Sequence, residues 1–140
     1  MPGQLTQWYC QELLKASANR DTYTPAYTAF QLALTLDFPP LNADVTQLNE
    51  PPTGVGYARV AVPYNTANWT PSGFREITQA LDINFPTATG YWGNLYGWAL
   101  MTTEATPNMV ALGNLVTPLR VITGIQPMIP AGSISLGLYD

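Results

Sequence analysis

Phe30, Leu32, Leu34 and Leu36 lie two residues apart in the stretch YTPAYTAFQLALTLD, with Ala29, Gln31, Ala33 and Thr35 between them. A period of two puts the large apolar side chains on one face of a strand, whereas a helix would scatter them round its axis. The same alternation returns in YARVAVPYN, where Ala58, Val60, Val62 and Tyr64 face one way and Arg59 the other. It recurs in ALDINFP through Leu81, Ile83 and Phe85, and in SISLGLY through Ile134, Leu136 and Leu138. FPTATGYWGNLYGWAL, NMVALGNLV and LRVITG are further strand-like runs. Thirteen prolines and eleven glycines keep all of them short. Short alternating runs separated by Pro, Gly, Asn and Thr turns predict a mainly β chain, an antiparallel, jelly-roll-like β-sandwich of about seven or eight strands.

One segment has a helical period instead. In QLTQWYCQELLKASANR the apolar residues Leu5, Trp8, Tyr9, Leu13 and Ala16 recur at spacings of three and four, which predicts one short N-terminal helix over 4–19. Residues 37–54, DFPPLNADVTQLNEPPTG, contain Pro39, Pro40, Pro51 and Pro52 and no sustained period, so they read as a long loop or arm. TANWTPSG also reads as a loop. The chain is expected to be a single domain, 1–140, with a sandwich built from 27–36 and 57–140.

Composition removes whole classes of chemistry. The chain has no histidine, which excludes imidazole acid–base catalysis, Ser-His-Asp and Cys-His nucleophile systems and histidine metal ligation. Cys10 is the single cysteine, so no internal disulfide forms and no thiolate zinc site is available. No Asp-rich calcium loop and no phosphate-binding loop followed by a helix is present. No cofactor, metal or catalytic residue is therefore expected. Paired-carboxylate glycoside chemistry stays formally open through Asp37, Asp44, Glu50, Glu76, Asp82 and Glu104. The five basic residues, Lys15, Arg20, Arg59, Arg75 and Arg120, are scattered, which disfavours nucleic acid as a partner. MPGQLTQWYC has neither a basic n-region nor an apolar h-region, and no run approaches the length of a membrane span, so neither a secretory route nor a membrane partner is expected. Only 10% of the residues are charged, well below the roughly one quarter usual for soluble domains. A surface so poor in charge suits close packing against partners.

Aromatic residues concentrate in FPTATGYWGNLYGWAL, which carries two tryptophans, two tyrosines and no charge. Trp69, Tyr91, Trp92, Tyr96 and Trp98 could form a platform for sugar rings, or they could pack in the core or at an interface. Alternation from Leu95 to Leu100 predicts a small face of Leu95, Gly97 and Ala99 and a bulky face of Tyr96, Trp98 and Leu100, the bulky one in the core. Gly93 and Gly97 would then admit another backbone, from the helix or a neighbouring subunit. The candidate partner-contact residues are Trp8, Tyr9, Pro39, Pro40, Pro51, Pro52, Trp69, Tyr91 and Trp92.

YTPAYTAFQLALTL, a long variable loop, GYARVAV, INFPTATGYWGNLYGWAL, ALGNLV and the closing IPAGSISLGL together resemble a module common in phage genomes and labelled phage tail-fibre protein. The resemblance runs from about Trp8 to Leu138, with NFPTATGYWGNL as its most specific piece. Where that family continues to an Asp-Ala pair and a Gly-Gly turn, this chain has EATPNM, Glu104 to Met109. The resemblance implies a non-enzymatic bacteriophage virion structural protein. Its one-module form also resembles capsid cement, or decoration, proteins, which often act as trimers that clamp neighbouring major capsid proteins. That reading, on the capsid exterior, with the major capsid protein and further copies of itself as partners, is favoured here. The helix and the 37–54 arm would reach across the capsid seam. The alternative is a tail-fibre or baseplate adhesion module that binds host-surface glycan through the aromatic cluster.

Overall fold

A computed structural model describes residues 2–7, 9–11, 14, 29–40, 43–63, 65–73 and 76–137. Among the described residues there are ten strands: β1 (Pro2–Leu5), β2 (Ala29–Thr35), β3 (Val60–Pro63), β4 (Trp69–Gly73), β5 (Glu76–Gln79), β6 (Ile83–Asn84), β7 (Gly93–Thr102), β8 (Met109–Val121), β9 (Met128–Ile129) and β10 (Ser135–Gly137). Eight of them form one sheet in the order β3-β2-β7-β8-β1-β10-β5-β4, while β6 and β9 pair separately. All pairings are antiparallel except β1 with β10, which run parallel. The chain is thus the mainly β sandwich expected from its alternation, with a parallel seam where its first and last strands meet.

The sheet curls until its two ends face each other. Phe30 in β2 and Trp69 in β4 meet edge to face, with ring centroids 6.2 Å apart, although six strand-to-strand steps separate β2 from β4. One core fills the space between the walls. It holds Phe30, Leu32 and Leu34 of β2, Trp98 and Leu100 of β7, Val110 of β8, Ile83, Ile129, Ile134 and Leu136, together with Trp69, Phe85 and Trp92. Alternation in β2 and β10 is obeyed because one face of each strand is turned into this core.

Both edge strands carry a proline, Pro63 in β3 and Pro71 in β4. Proline cannot donate to a ladder, so an edge is where a strand tolerates it, and there it also discourages pairing with another sheet. This explains why TANWTPSG, expected as a loop, contains strand β4. NMVALGNLV and LRVITG likewise form one strand, β8, because the chain bulges rather than stops at Pro118. Leu95 pairs with Leu119 and Gly97 with Asn114, so residues 115–118 stand opposite Tyr96 alone. In ALDINFP only Ile83 and Asn84 are strand, and Leu81 is 53% exposed instead of facing the core.

The N-terminal expectation needs a correction. Gln4 and Leu5, assigned to the helix, belong to β1, which pairs with Leu112 and Ala111 of β8 as well as with β10. Helical backbone begins at Gln7 and is seen at residues 9–11 and 14, while the rest of the predicted helix, to residue 19, lies outside the described residues. The Cys10 amide donates to the Thr6 carbonyl at 3.0 Å. Tyr9 turns inward and packs edge-on against Phe30 at 6.5 Å.

Gln79 ties the end of β5 to β9 and to the residue before β10 from within. This buried side chain donates from Nε2 to the carbonyls of Leu81, Ile129 and Pro130 at 3.1, 3.2 and 3.1 Å, and its Oε1 accepts from the Ile134 amide at 2.8 Å. A polar group in a core costs free energy unless it is bonded, and here both ends of the amide are. In the β7–β8 turn EATPNM, the Thr102 hydroxyl accepts from the Asn108 amide at 2.9 Å and Asn108 Nδ2 donates to Glu104 at 3.1 Å. Side-chain bonds thus close this turn in place of a Gly-Gly pair.

Candidate functional site

The Pro-rich segment decides which surfaces stay free. The described residues of 37–54 form a loop, as the sequence implies, but the loop lies on its own sheet. Ala43, with Val45 and Leu48 beside it, covers a second, smaller core on the outer face of β2, β7 and β8, made of Ala33, Ala99, Met101, Met109 and Leu112. Val45–Gln47 forms a 3-10 turn capped by Asp44, whose carboxylate accepts from the Thr46 amide at 2.8 Å while Gln47 Oε1 accepts from the Asp44 amide at 2.9 Å. The Thr46 hydroxyl, the largest influence on it, holds the Asp44 carboxyl below its ordinary range. The Leu36 amide closes the loop on the Asn49 carbonyl at 2.8 Å.

A half-buried polar cluster anchors the far end of the loop. Arg59 grips Glu50 with two bonds, Nε to Oε1 at 3.0 Å and an Nη to Oε2 at 2.7 Å. The Tyr57 hydroxyl donates to Glu50 Oε1 at 2.7 Å and accepts from the Leu34 amide at 3.1 Å. Burial first, and the neighbouring Glu50 second, push the Tyr57 phenol well above its ordinary value; Glu50 raises the Arg59 guanidinium likewise. A fork-to-carboxylate pair with a third donor fixes geometry rather than supplying a reactive group.

The NFPTATGYWG segment is then held between this anchor and the turn after β8. The Thr89 amide donates to the Val55 carbonyl at 2.9 Å, the Ala88 amide to Ile125 at 2.8 Å and the Trp92 amide to Val121 at 3.0 Å. Trp92 Nε1 donates to the Val55 carbonyl at 2.7 Å, and its ring meets Tyr57 edge-on at 5.2 Å. Gly90 sits where a Cβ would lie 2.8 Å from Val55. The most specific stretch of the sequence is thus a structural lock.

These contacts place the expected contact residues. Tyr9, Trp69 and Trp92 are 7%, 8% and 1% exposed and pack in this chain's own core, and Pro39 and Pro51 are buried as well. Pro40, Pro52 and Tyr91 stay exposed, and Trp8 lies outside the described residues. On the small face of β7, Gly97 is met by the chain's own loop. At Gly97 a Cβ would meet Pro39 Cδ at 2.5 Å, Thr35 Oγ1 at 2.6 Å and the Asp37 carbonyl at 3.0 Å, so the chain's own loop fills that space. Nor does strict alternation survive. The irregular ladder at Tyr96 turns Leu95 into the same core as Trp98 and Leu100, and leaves Tyr96 half-buried against Phe38 with centroids 5.5 Å apart.

Two surfaces stand out among the described residues. One is aromatic and polar, and lies at one end of β7 and β8. Asn94 and Arg120 are register partners, so their side chains share a face. Phe38 rests on Tyr96 and is 61% exposed, while Arg120 lies 5.9 Å over the ring of Tyr91, which is 53% exposed. Phe38, Asn94 and Arg120 escape sequence reasoning because nothing local relates them. The other surface is an aliphatic cavity of about 420 Å³ beside the β8 bulge, lined by Leu115, Val116, Thr117, Leu119, Met128, Ile129, Pro130 and Ser133.

The six carboxylates considered for glycoside chemistry are each engaged locally. Asp37 accepts from Asn49, Glu50 from Arg59 and Tyr57, Glu76 from Ser72, Asp82 from the Ala131 amide, Glu104 from Asn108, and Asp44 caps its turn. None of them lines the cavity. Among the described residues no group of three or more His, Cys, Asp or Glu side chains is placed to hold a metal ion, and no helix is long and apolar enough to cross a membrane.

A curled β-sheet with its aromatic motif spent on internal locks is the build of a structural module, here one of the phage tail-fibre type. The chain belongs to the family described as podophage GP4 fiber I protein gp80, whose family model matches residues 4–137. No curated protein matches the chain.

Proposed function

We propose that this chain is a structural subunit of a phage tail fibre, acting by assembly and contact without catalysis. The observation that carries the reading is the match to a fiber I family over residues 4–137, nearly the whole β fold. The absence of histidine and the local engagement of the carboxylates support it. A capsid cement role drew on the one-module form, and the family description fits a fibre better. Homo-oligomerisation, expected from the sequence, belongs to the same proposal and is measured by light scattering of the purified chain.

Electron microscopy of intact virions carrying a tagged copy tests the assignment. Label confined to the tail is expected. Label distributed over the capsid would return the chain to the cement reading.

A further inference from the structure

We propose that the turn Ile122–Ile125 of one copy of this chain enters the aliphatic cavity beside the β8 bulge of another, so that the chain carries both halves of an assembly contact. The inference rests on the structural-subunit reading and names the face through which subunits join. Among the described residues nine large apolar side chains are exposed, and four of them, Val116, Ile122, Ile125 and Met128, fall between positions 116 and 128. Single exposed apolar residues are ordinary, whereas a cluster of them marks a surface made for contact.

The turn is a rigid apolar knob. The Ile125 amide donates to the Ile122 carbonyl at 3.1 Å, the Gly124 amide to the Ala88 carbonyl at 2.8 Å, and the Ala88 amide back to the Ile125 carbonyl at 2.8 Å. Gly124, with φ at +87°, takes the left-handed third position of a tight turn, where glycine is favoured. Ile122 and Ile125 are nevertheless 47% and 41% exposed, so the knob does not enter its own chain's cavity. A knob ordered before contact loses little conformational freedom on docking, which favours affinity.

The cavity fits it in size and in charge. Its volume is about 420 Å³, and the eight side-chain carbons of two isoleucines need about 240 Å³ at about 30 Å³ for each water-sized group. Neither the cavity lining nor the turn contains a charged residue, so no ion loses its water without a partner when they meet. Ile122 and Ile125 each stand three residues from a residue that lines the cavity, Leu119 and Met128. At most about 11 Å of chain therefore separates knob from cavity, and one continuous apolar face presents both. A second copy supplies the complement of each half, which selects it as the occupant.

Light scattering of the full chain at about 100 μM tests the contact. The unaltered protein should associate. Ile125→Asp on the knob and Val116→Asp at the cavity should each weaken association about tenfold or more, while Ala105→Asp, exposed in the β7–β8 turn, should leave it unchanged. Mixed one to one, the two weakened variants should regain a dimer, because one keeps its cavity and the other its knob. Ile122→Asp stands in for Ile125→Asp if the latter loses its fold by circular dichroism. A chain that stays monomeric overturns the proposal and gives the apolar face to another virion protein. Association that survives both aspartates, or variants that do not pair when mixed, overturns it as well. Tail labelling is read separately on virions, so label on the tail with a monomer in solution removes this contact and leaves the fibre reading standing.

Discussion

Phe30 and Trp69 pack edge to face at 6.2 Å and 82° although their strands are six steps apart in the sheet. In a flat sheet six steps of about 4.8 Å would hold them about 29 Å apart. Their contact therefore exists only because the sheet curls closed, and it reports on that closure. Single alanine replacements at either position should cost about 3–5 kcal/mol in urea unfolding. The double mutant should recover about 0.5–1.5 kcal/mol relative to the sum. Strict additivity would mean the two walls are not in contact.

Gly113 faces the indole of Trp98 across the β7–β8 ladder, and a Cβ there would lie 2.7 Å from Trp98 Cζ2. The ring is fully buried and rigid, so neither partner can step aside cheaply. Gly113→Ala should destabilise the fold by about 1–3 kcal/mol. Gly124→Ala separates this effect from backbone strain, because at Gly124 φ is +87° with nothing within 4 Å of a Cβ. A smaller loss at Gly113 than at Gly124 would contradict the clash.

Trp92 and Trp98 are equally buried, but Trp92 Nε1 donates to the Val55 carbonyl at 2.7 Å whereas Trp98 Nε1 has no partner among the described residues. Phenylalanine removes a bonded donor in one case and an unbonded donor in the other. Trp92→Phe should cost about 1 kcal/mol more than Trp98→Phe in matched denaturant titrations.

Gln79 of β5 is bonded to Leu81, to Ile129 of β9, to Pro130 and to Ile134, the residue before β10. Gln79→Leu keeps much of the volume but leaves the buried Ile134 amide and its neighbouring carbonyls unpaired. A loss of about 2–4 kcal/mol is expected in thermal or urea unfolding. A neutral result would show that water replaces the amide.

Tyr57 sets a limit at alkaline pH. Its phenol is held above the ordinary value of 10.0, so the folded chain keeps a proton that the unfolded chain releases. The associated stability is fully present below pH 10 and declines as pH rises beyond it, with a slope of up to about 1.4 kcal/mol per pH unit. Tyr57→Phe should be less stable at neutral pH, since two hydrogen bonds go, and should show a flatter decline above pH 10. Unfolding curves between pH 8 and 11 measure both effects.

Alternation in β2 and β10, the Pro and Gly punctuation and the missing histidine determined by themselves the β class and the absence of imidazole chemistry. These are local or compositional properties: a period of two commits a strand to one buried face whatever lies opposite it. Tertiary structure alone decided the pairing of the first and last strands, the bulge that turns Leu95 and Trp98 into the same core, and the folding of the 37–54 segment onto its own sheet. It also decided that Trp92 is a lock, that Phe38 rests on Tyr96 and that Arg120 lies over Tyr91. Each of those outcomes depends on which distant residue fills the space beside a side chain, as Pro39 does at Gly97, and packing of that kind leaves no periodic trace along the chain.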